Sequence, residues 1–163
     1  VSAIISTCGT YRYRLDREIA FDGPAYAFIG INPSTADANI DDATVRKWIG
    51  FVSRWGGRKF IVGNVFAYRA TDVGALASVD DPVGPMNDAH LSSILHDADI
   101  IVPCWGARGK LLPSLMPRLA MIHRLMDHAT KSVMTFGLTA SGDPKHPLML
   151  GYDTELQPWR SAQ

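Results

Sequence analysis

The residues best suited to chemistry stand in three short segments. They are an asparagine in Gly30-Ile31-Asn32-Pro33-Ser34-Thr35-Ala36-Asp37, a second in Asn64-Val65-Phe66-Ala67-Tyr68-Arg69-Ala70-Thr71, and a histidine in Lys145-His146-Pro147-Leu148. In the first segment Gly30 allows close backbone approach, Asn32 offers a carbonyl acceptor and N–H donors, and Pro33 stiffens the turn that aims them. Such a loop suits holding a water or a sugar. The plainer alternative is an Asn-Pro turn with Ser34 or Thr35 capping a helical turn. In the second segment the Asn64 amide can pair with a nucleobase edge while Arg69 meets a phosphate. Equally, Asn64 can satisfy loop backbone and Arg69 can form an ion pair. Trp105-Gly106-Ala107-Arg108-Gly109 offers a ring surface and another arginine for phosphate, although Trp105 also suits a core position. The imidazole of His146 can stabilise a developing anion.

Other constellations carry less. Asp37, Asp41 and Asp42 have the oxygen donors that magnesium prefers, but Asp42 is wanted as a helix cap and Asp41 reads as surface. No metal and no cofactor is therefore expected. The sequence holds no HExxH, P-loop or GxSxG motif, and Cys8 has no local histidine partner for nucleophilic catalysis. Tyr11-Arg12-Tyr13-Arg14 reads as strand alternation, with the tyrosines packed and the arginines wet.

Elements that would position these residues follow from periodicity. Short apolar runs at Tyr26–Ile31, Phe60–Phe66, Ile100–Trp105 and Ser132–Phe136 read as strands, each ending in turn or polar residues. Between them lie helical patterns. Asp42 caps a helix through Val45, Trp48, Ile49, Val52 and Trp55, stopped at Gly56-Gly57. Asn87–His96 forms a second, and a third runs through Leu115, Leu119, Ile122, Leu125 and Met126, with Pro113 and Pro117 disturbing its start. Ala3–Ser6 and Tyr11–Leu15 pair as an edge hairpin. The alternation predicts an α/β fold, a three-layer sandwich about a central mostly parallel sheet, with Tyr26–Ile31 beside Phe60–Phe66. In such sheets the ligand crevice lies beyond the carboxyl ends of the strands, where Asn32, Asn64, Trp105 and His146 all fall.

Length and composition bound the rest. The chain has 163 residues, 47% of them hydrophobic, which suits one domain spanning residues 1–163. Its 16 basic and 16 acidic residues give a formal net charge of zero, so a nucleic-acid binder held mainly by counterion release is not expected. A local basic patch of Arg12, Arg14, Arg69, Arg108 and Lys145 is. No apolar run approaches the roughly 20 residues that cross a bilayer, so no membrane partner is expected. With two cysteines and no signal-like pattern from Val1, a reducing cytoplasmic location is expected. The oligomeric state is not legible.

Two resemblances add to this reading. Tyr11-Arg12-Tyr13, Asn32-Pro33-Ser34-Thr35-Ala36-Asp37, Asp42-Ala43-Thr44, Asn64 to Thr71, Pro82-Val83-Gly84-Pro85-Met86-Asn87-Asp88 and Trp105-Gly106 resemble an uncharacterised family of small bacterial and phage proteins, a domain of unknown function. More distantly, Gly30-Ile31-Asn32-Pro33 is similar to the first motif of the mismatch-specific branch of the uracil-DNA glycosylase superfamily. There the asparagine positions the attacking water. Asn64 looks like that superfamily's base-reading asparagine, and His146-Pro147 with Leu148 resembles its second motif, whose histidine stabilises the departing base and whose leucine can wedge into DNA. Ser34 stands where the mismatch branch has glycine, and Leu148 where a serine usually follows His-Pro. The resemblance implies hydrolysis of an N-glycosidic bond of a uracil-like or modified base in DNA or a nucleotide. Asn32 and His146 would be catalytic. Gly30, Ser34, Asp37, Asn64, Phe66, Tyr68, Arg69, Trp105, Arg108 and Leu148 would bind substrate, with Phe66 or Tyr68 stacking beneath the base. Two alternatives stand beside it: a non-catalytic module that binds a nucleotide or modified base, and metal-dependent phosphate chemistry using Asp37.

Overall fold

A strand covered on both faces has no wet side and so reads as a continuous apolar run. Strand β3, Ala25–Gly30, is of that kind: every one of its residues is buried. The computed structural model describes residues 2–159 and places β3 inside a seven-stranded sheet. In chain order the strands are β1 Ser2–Ile5, β2 Arg12–Glu18, β3, β4 Lys59–Asn64, β5 Ile100–Pro103, β6 Ser132–Thr135 and β7 Gln157–Pro158. In space they run β1-β2-β4-β3-β5-β6-β7. The central four, β4-β3-β5-β6, are mutually parallel, while β1, β2 and β7 pair antiparallel at the edges.

The helices cover both sides of this sheet. Helix α1, Ala43–Arg54, begins where the Asp42 carboxylate accepts the Val45 N–H at 2.9 Å. Just past its end Gly56 adopts a φ of 69°, a left-handed conformation that favours glycine. Its Val45, Trp48, Phe51 and Val52 pack on Tyr26, Phe28, Phe60 and Val62. On the opposite face, helices α2 (Asn87–Asp97) and α3 (Met116–His128) bring Leu91, Ile94, Leu119 and Ile122 against Ala27, Ile29, Ile61 and Ile101. Pro117 lies in the first turn of α3, where its missing N–H has no intrahelical acceptor to lose.

Some boundaries differ from the sequence reading. Strands β3, β4, β5 and β6 all stop one or two residues early, because Ile31, Val65, Trp105 and Phe136 already belong to the loops that bend away from the sheet. Strand β7 carries no signal in a two-residue pairing, which supplies no period to detect.

From β3 the chain crosses to β4 on one side, and from β4 it returns past β3 to β5 on the other. The loops leaving β3 and β5 thus diverge, which opens a crevice at the carboxyl ends of the parallel strands. Packing above it is tight: a Cβ added at Gly63 in β4 would lie 2.7 Å from Leu91 Cδ2 and 3.0 Å from Ile94 Cδ1. Substituting Gly63→Val should therefore cost about 1–3 kcal/mol by overpacking. Urea denaturation should show a lower midpoint with an unchanged slope; an unchanged midpoint would contradict the close fit of α2 on β4.

Candidate functional site

Parallel pairing sets Gly30 and Asn64 side by side as the last residues of β3 and β4. A Cβ at Gly30 would come within 2.9 Å of Asn64 Nδ2, so the glycine makes the space that the amide occupies. Beyond the strands the two chains stay joined, with the Val65 and Phe66 N–H groups donating to the Gly30 and Ile31 carbonyls at 2.9 Å each. The far side of this turn is held by Asn87, wholly buried at the start of α2, whose Nδ2 donates to the carbonyls of Asn64 at 3.0 Å and Val65 at 3.3 Å. Arg118 Nε adds a bond to the Val65 carbonyl at 3.0 Å. Asn64 is thereby buried with a fixed backbone.

Asn32 sits one residue beyond the β3 loop entry. Its amide nitrogen donates to the Ala70 carbonyl at 2.7 Å and to its neighbour Pro33 at 3.2 Å. Those bonds orient the side chain and leave Oδ1 without a protein donor among the described residues. The free oxygen is an acceptor for a water.

Arg12 departs from the expectation of a wet arginine. In the β1–β2 pair the register slips between Ile4 and Ile5, which face Arg14 and Arg12, so Tyr13 has no residue opposite it. Because of this bulge the consecutive Tyr13 and Arg14 both turn toward α2, Tyr13 stacking on His90 at 5.0 Å and Arg14 bonding Asp97 at 2.7 Å. Arg12 is aimed the other way, where its guanidinium donates to the Ala36 carbonyl at 2.8 Å and to Asn64 Oδ1 at 3.5 Å. It is 4% exposed, and burial pushes its pKa down to about 10.

The remaining wall comes from the loops after β5 and β6. Asp143, 2% exposed, accepts the Arg108 backbone N–H at 2.9 Å and its Nε at 2.8 Å, while Gly106 N–H donates to the Pro144 carbonyl at 2.9 Å. These bonds tie the two loops together and carry His146 to the crevice. The Leu148 N–H donates to His146 Nδ1 at 3.3 Å, so the proton of a neutral ring belongs on Nε2. Surrounding protein lowers the pKa of this imidazole, the Asp42 carboxylate opposing the shift.

A cavity of about 580 Å³ joins these pieces. Of the residues expected from sequence, Gly30, Asn32, Ser34, Asn64, Trp105, Arg108, His146 and Leu148 line it. Four do not. Phe66 is buried in the core beneath α2 and α3, and Tyr68 packs edge-on against Tyr11, so neither offers a face to the cleft. Arg69 reaches the Gly9 carbonyl, and the Asp37 carboxylate closes its own loop by accepting the N–H groups of Asn39 and Ile40. Asp41 pairs with Arg17, and no three metal-ligating side chains stand together among the described residues. Of the expected basic patch, Arg12 and Arg108 line the cavity while Arg14, Arg69 and Lys145 do not; Asp42, Thr44, Trp48, Thr71 and Lys110 are further lining residues. Trp48 was legible only as a core position of α1, and the burial of Arg12 was hidden by the bulge.

Residues 12–148 match a family model described as "Protein of unknown function (DUF1643)". This bears out the resemblance of the Asn32 and Asn64 segments to such a family. No curated protein and no solved structure matches the chain.

Because its pKa is lowered, His146 should titrate below the ordinary imidazole value of 6.5. The sign follows: the neutral ring's contribution to folding is present above that value and is lost as pH falls, when the unfolded chain takes up the proton first. An NMR titration of the ring carbons should show this low midpoint, and one at or above the ordinary value would contradict the site geometry.

Proposed function

We propose that this chain, which belongs to the DUF1643 family of proteins of unknown function, hydrolyses the N-glycosidic bond of a uracil-like or modified base in DNA or in a nucleotide. The observation that carries the proposal is the meeting of Asn32, Asn64 and His146 in one cavity, drawn from three separate segments. Their order along the chain agrees with the uracil-DNA glycosylase resemblance, as do their places, Asn32 beyond β3, Asn64 at the end of β4 and His146 beyond β6. Helices on both faces of the sheet agree with the three-layer arrangement that it implies.

In this reading the free Oδ1 of Asn32 accepts a bond from water and directs its oxygen at the anomeric carbon. The bond from that carbon to the base nitrogen breaks, and its electron pair leaves with the base. Nε2–H of His146 faces the departing base as a neutral donor, a role that a preorganised group fills without reorganising. The attacking water loses its proton to solvent. Asn64 reads the base edge through its amide N–H groups. Aromatic surface for the base comes from Trp48 and Trp105, the two aromatic side chains lining the cavity, rather than from Phe66 or Tyr68.

The test is release of free base from oligonucleotides and nucleotides carrying uracil, mismatched or modified bases. For a substrate so found, Asn32→Ala should slow single-turnover release by roughly 10²–10³-fold while leaving its binding within a few-fold. Folded protein that binds members of the panel and releases base from none would overturn the hydrolase reading.

A further inference from the structure

We propose that the part of the cleft wall made by Arg12 and Asn64 is a subsite for an anionic oxygen group on the ligand. Arg12 is 4% exposed, yet its guanidinium touches only neutral oxygens, the Ala36 carbonyl at 2.8 Å and Asn64 Oδ1 at 3.5 Å. No carboxylate lies within ion-pair distance of it among the described residues, whereas Arg14, Arg17, Arg58, Arg108 and Arg118 each have one. The charged groups that Arg12 feels are Asp42, Arg69, Arg17 and Asp37. Asp42 is engaged with the Val45 N–H, Asp37 with its own loop, and Arg17 with Asp41.

Asp42 and Asp37 keep their charge and act on Arg12 only from beyond contact, so the buried guanidinium has no ion-pair partner of its own, and an anionic oxygen from a ligand would supply one. The bulge in β2 delivers this guanidinium to the cavity rather than to solvent. Beside it, Asn64 turns Oδ1 toward Arg12, which leaves Nδ2, next to Gly30, as a second donor. Two adjacent donors, with the one neighbouring amide oxygen turned toward Arg12, suit a carboxylate or an ionised carbonyl. The same pair rejects an exocyclic amino group, which would set N–H against N–H.

This inference rests on the proposed function for one point: the ligand is a nucleobase, so the anionic group sits on the base edge that Asn64 reads. A pyrimidine carboxylate and the corresponding carboxamide, titrated calorimetrically into the whole protein, are the probes. The carboxylate should bind about ten-fold more tightly. Arg12→Gln should abolish that preference, with a thermal melt confirming the fold, and Arg12→Lys should keep part of it. Equal affinity of the two probes for the wild-type protein would overturn the proposal without any variant, as would a preference that survives in Arg12→Gln. Inorganic phosphate should not displace the carboxylate; displacement would move the subsite from the base to a phosphate and overturn the assignment. An Arg12-dependent preference without base release would remove the hydrolase reading and leave this subsite standing.

Discussion

The parallel register of β3 with β4 carries the most weight in this molecule, because it ends both strands at the same level with Gly30 beside Asn64. The hydrogen bonds from Val65 and Phe66 to Gly30 and Ile31 continue that pairing past the strands. Had β4 slipped by one residue, Asn64 would point to the opposite face of the sheet. The missing side chain at Gly30 is part of the same constraint, since any Cβ there would press on the Asn64 amide. Asn87 and Arg118, from the two helices of the far face, then fix the backbone from behind. The floor of the cleft is thus a product of core packing, which keeps its side chains in one place without help from a ligand.

Electrostatics at the site run against the neutrality of the whole chain. Of the charged side chains around the cavity, Arg12, Arg108 and Lys110 are cationic and Asp42 alone is anionic. Asp42 is also occupied as the cap of α1, and Arg108 is tied to the buried Asp143. Arg12 is the exception in having protein dipoles but no carboxylate. Placing a guanidinium there costs stability, of the order of several kcal/mol where no partner compensates. With the whole chain at zero formal charge, this concentrates positive potential at the cavity and leaves the remainder of the chain net negative.

The third wall has a different character. It is built from loops whose bonds are largely to one another, through Asp143, Gly106 and Pro144. Leu148 and Met149 are exposed there, beside His146. Asn64 thus stands on a strand end fixed by core packing, whereas Asn32 and His146 stand on loops.

How much of this could be read before folding depends on the range of the interactions. The Asp42 cap, the apolar stripe of α1, the glycine stop after it and the continuous apolar runs of β3 and β4 are decided within a few residues, so local periodicity and capping chemistry located them. The polar residues at strand ends followed from those boundaries, which is why Asn32, Asn64 and His146 were found together. Arg12 was expected in a basic patch, but its burial was not legible, because a bulge is a property of two strands and its effect is to reverse the alternation on which a sequence reading relies. Phe66 and Trp48 changed places for a similar reason: both are aromatic and apolar-facing in sequence, and only the packing of α1 on one face and of α2 and α3 on the other decides which touches the cavity. Sequence alone determined the elements and the candidates at their ends. The tertiary structure decided which charge is left unpaired among them, since an ion pair forms or fails according to neighbours far apart along the chain.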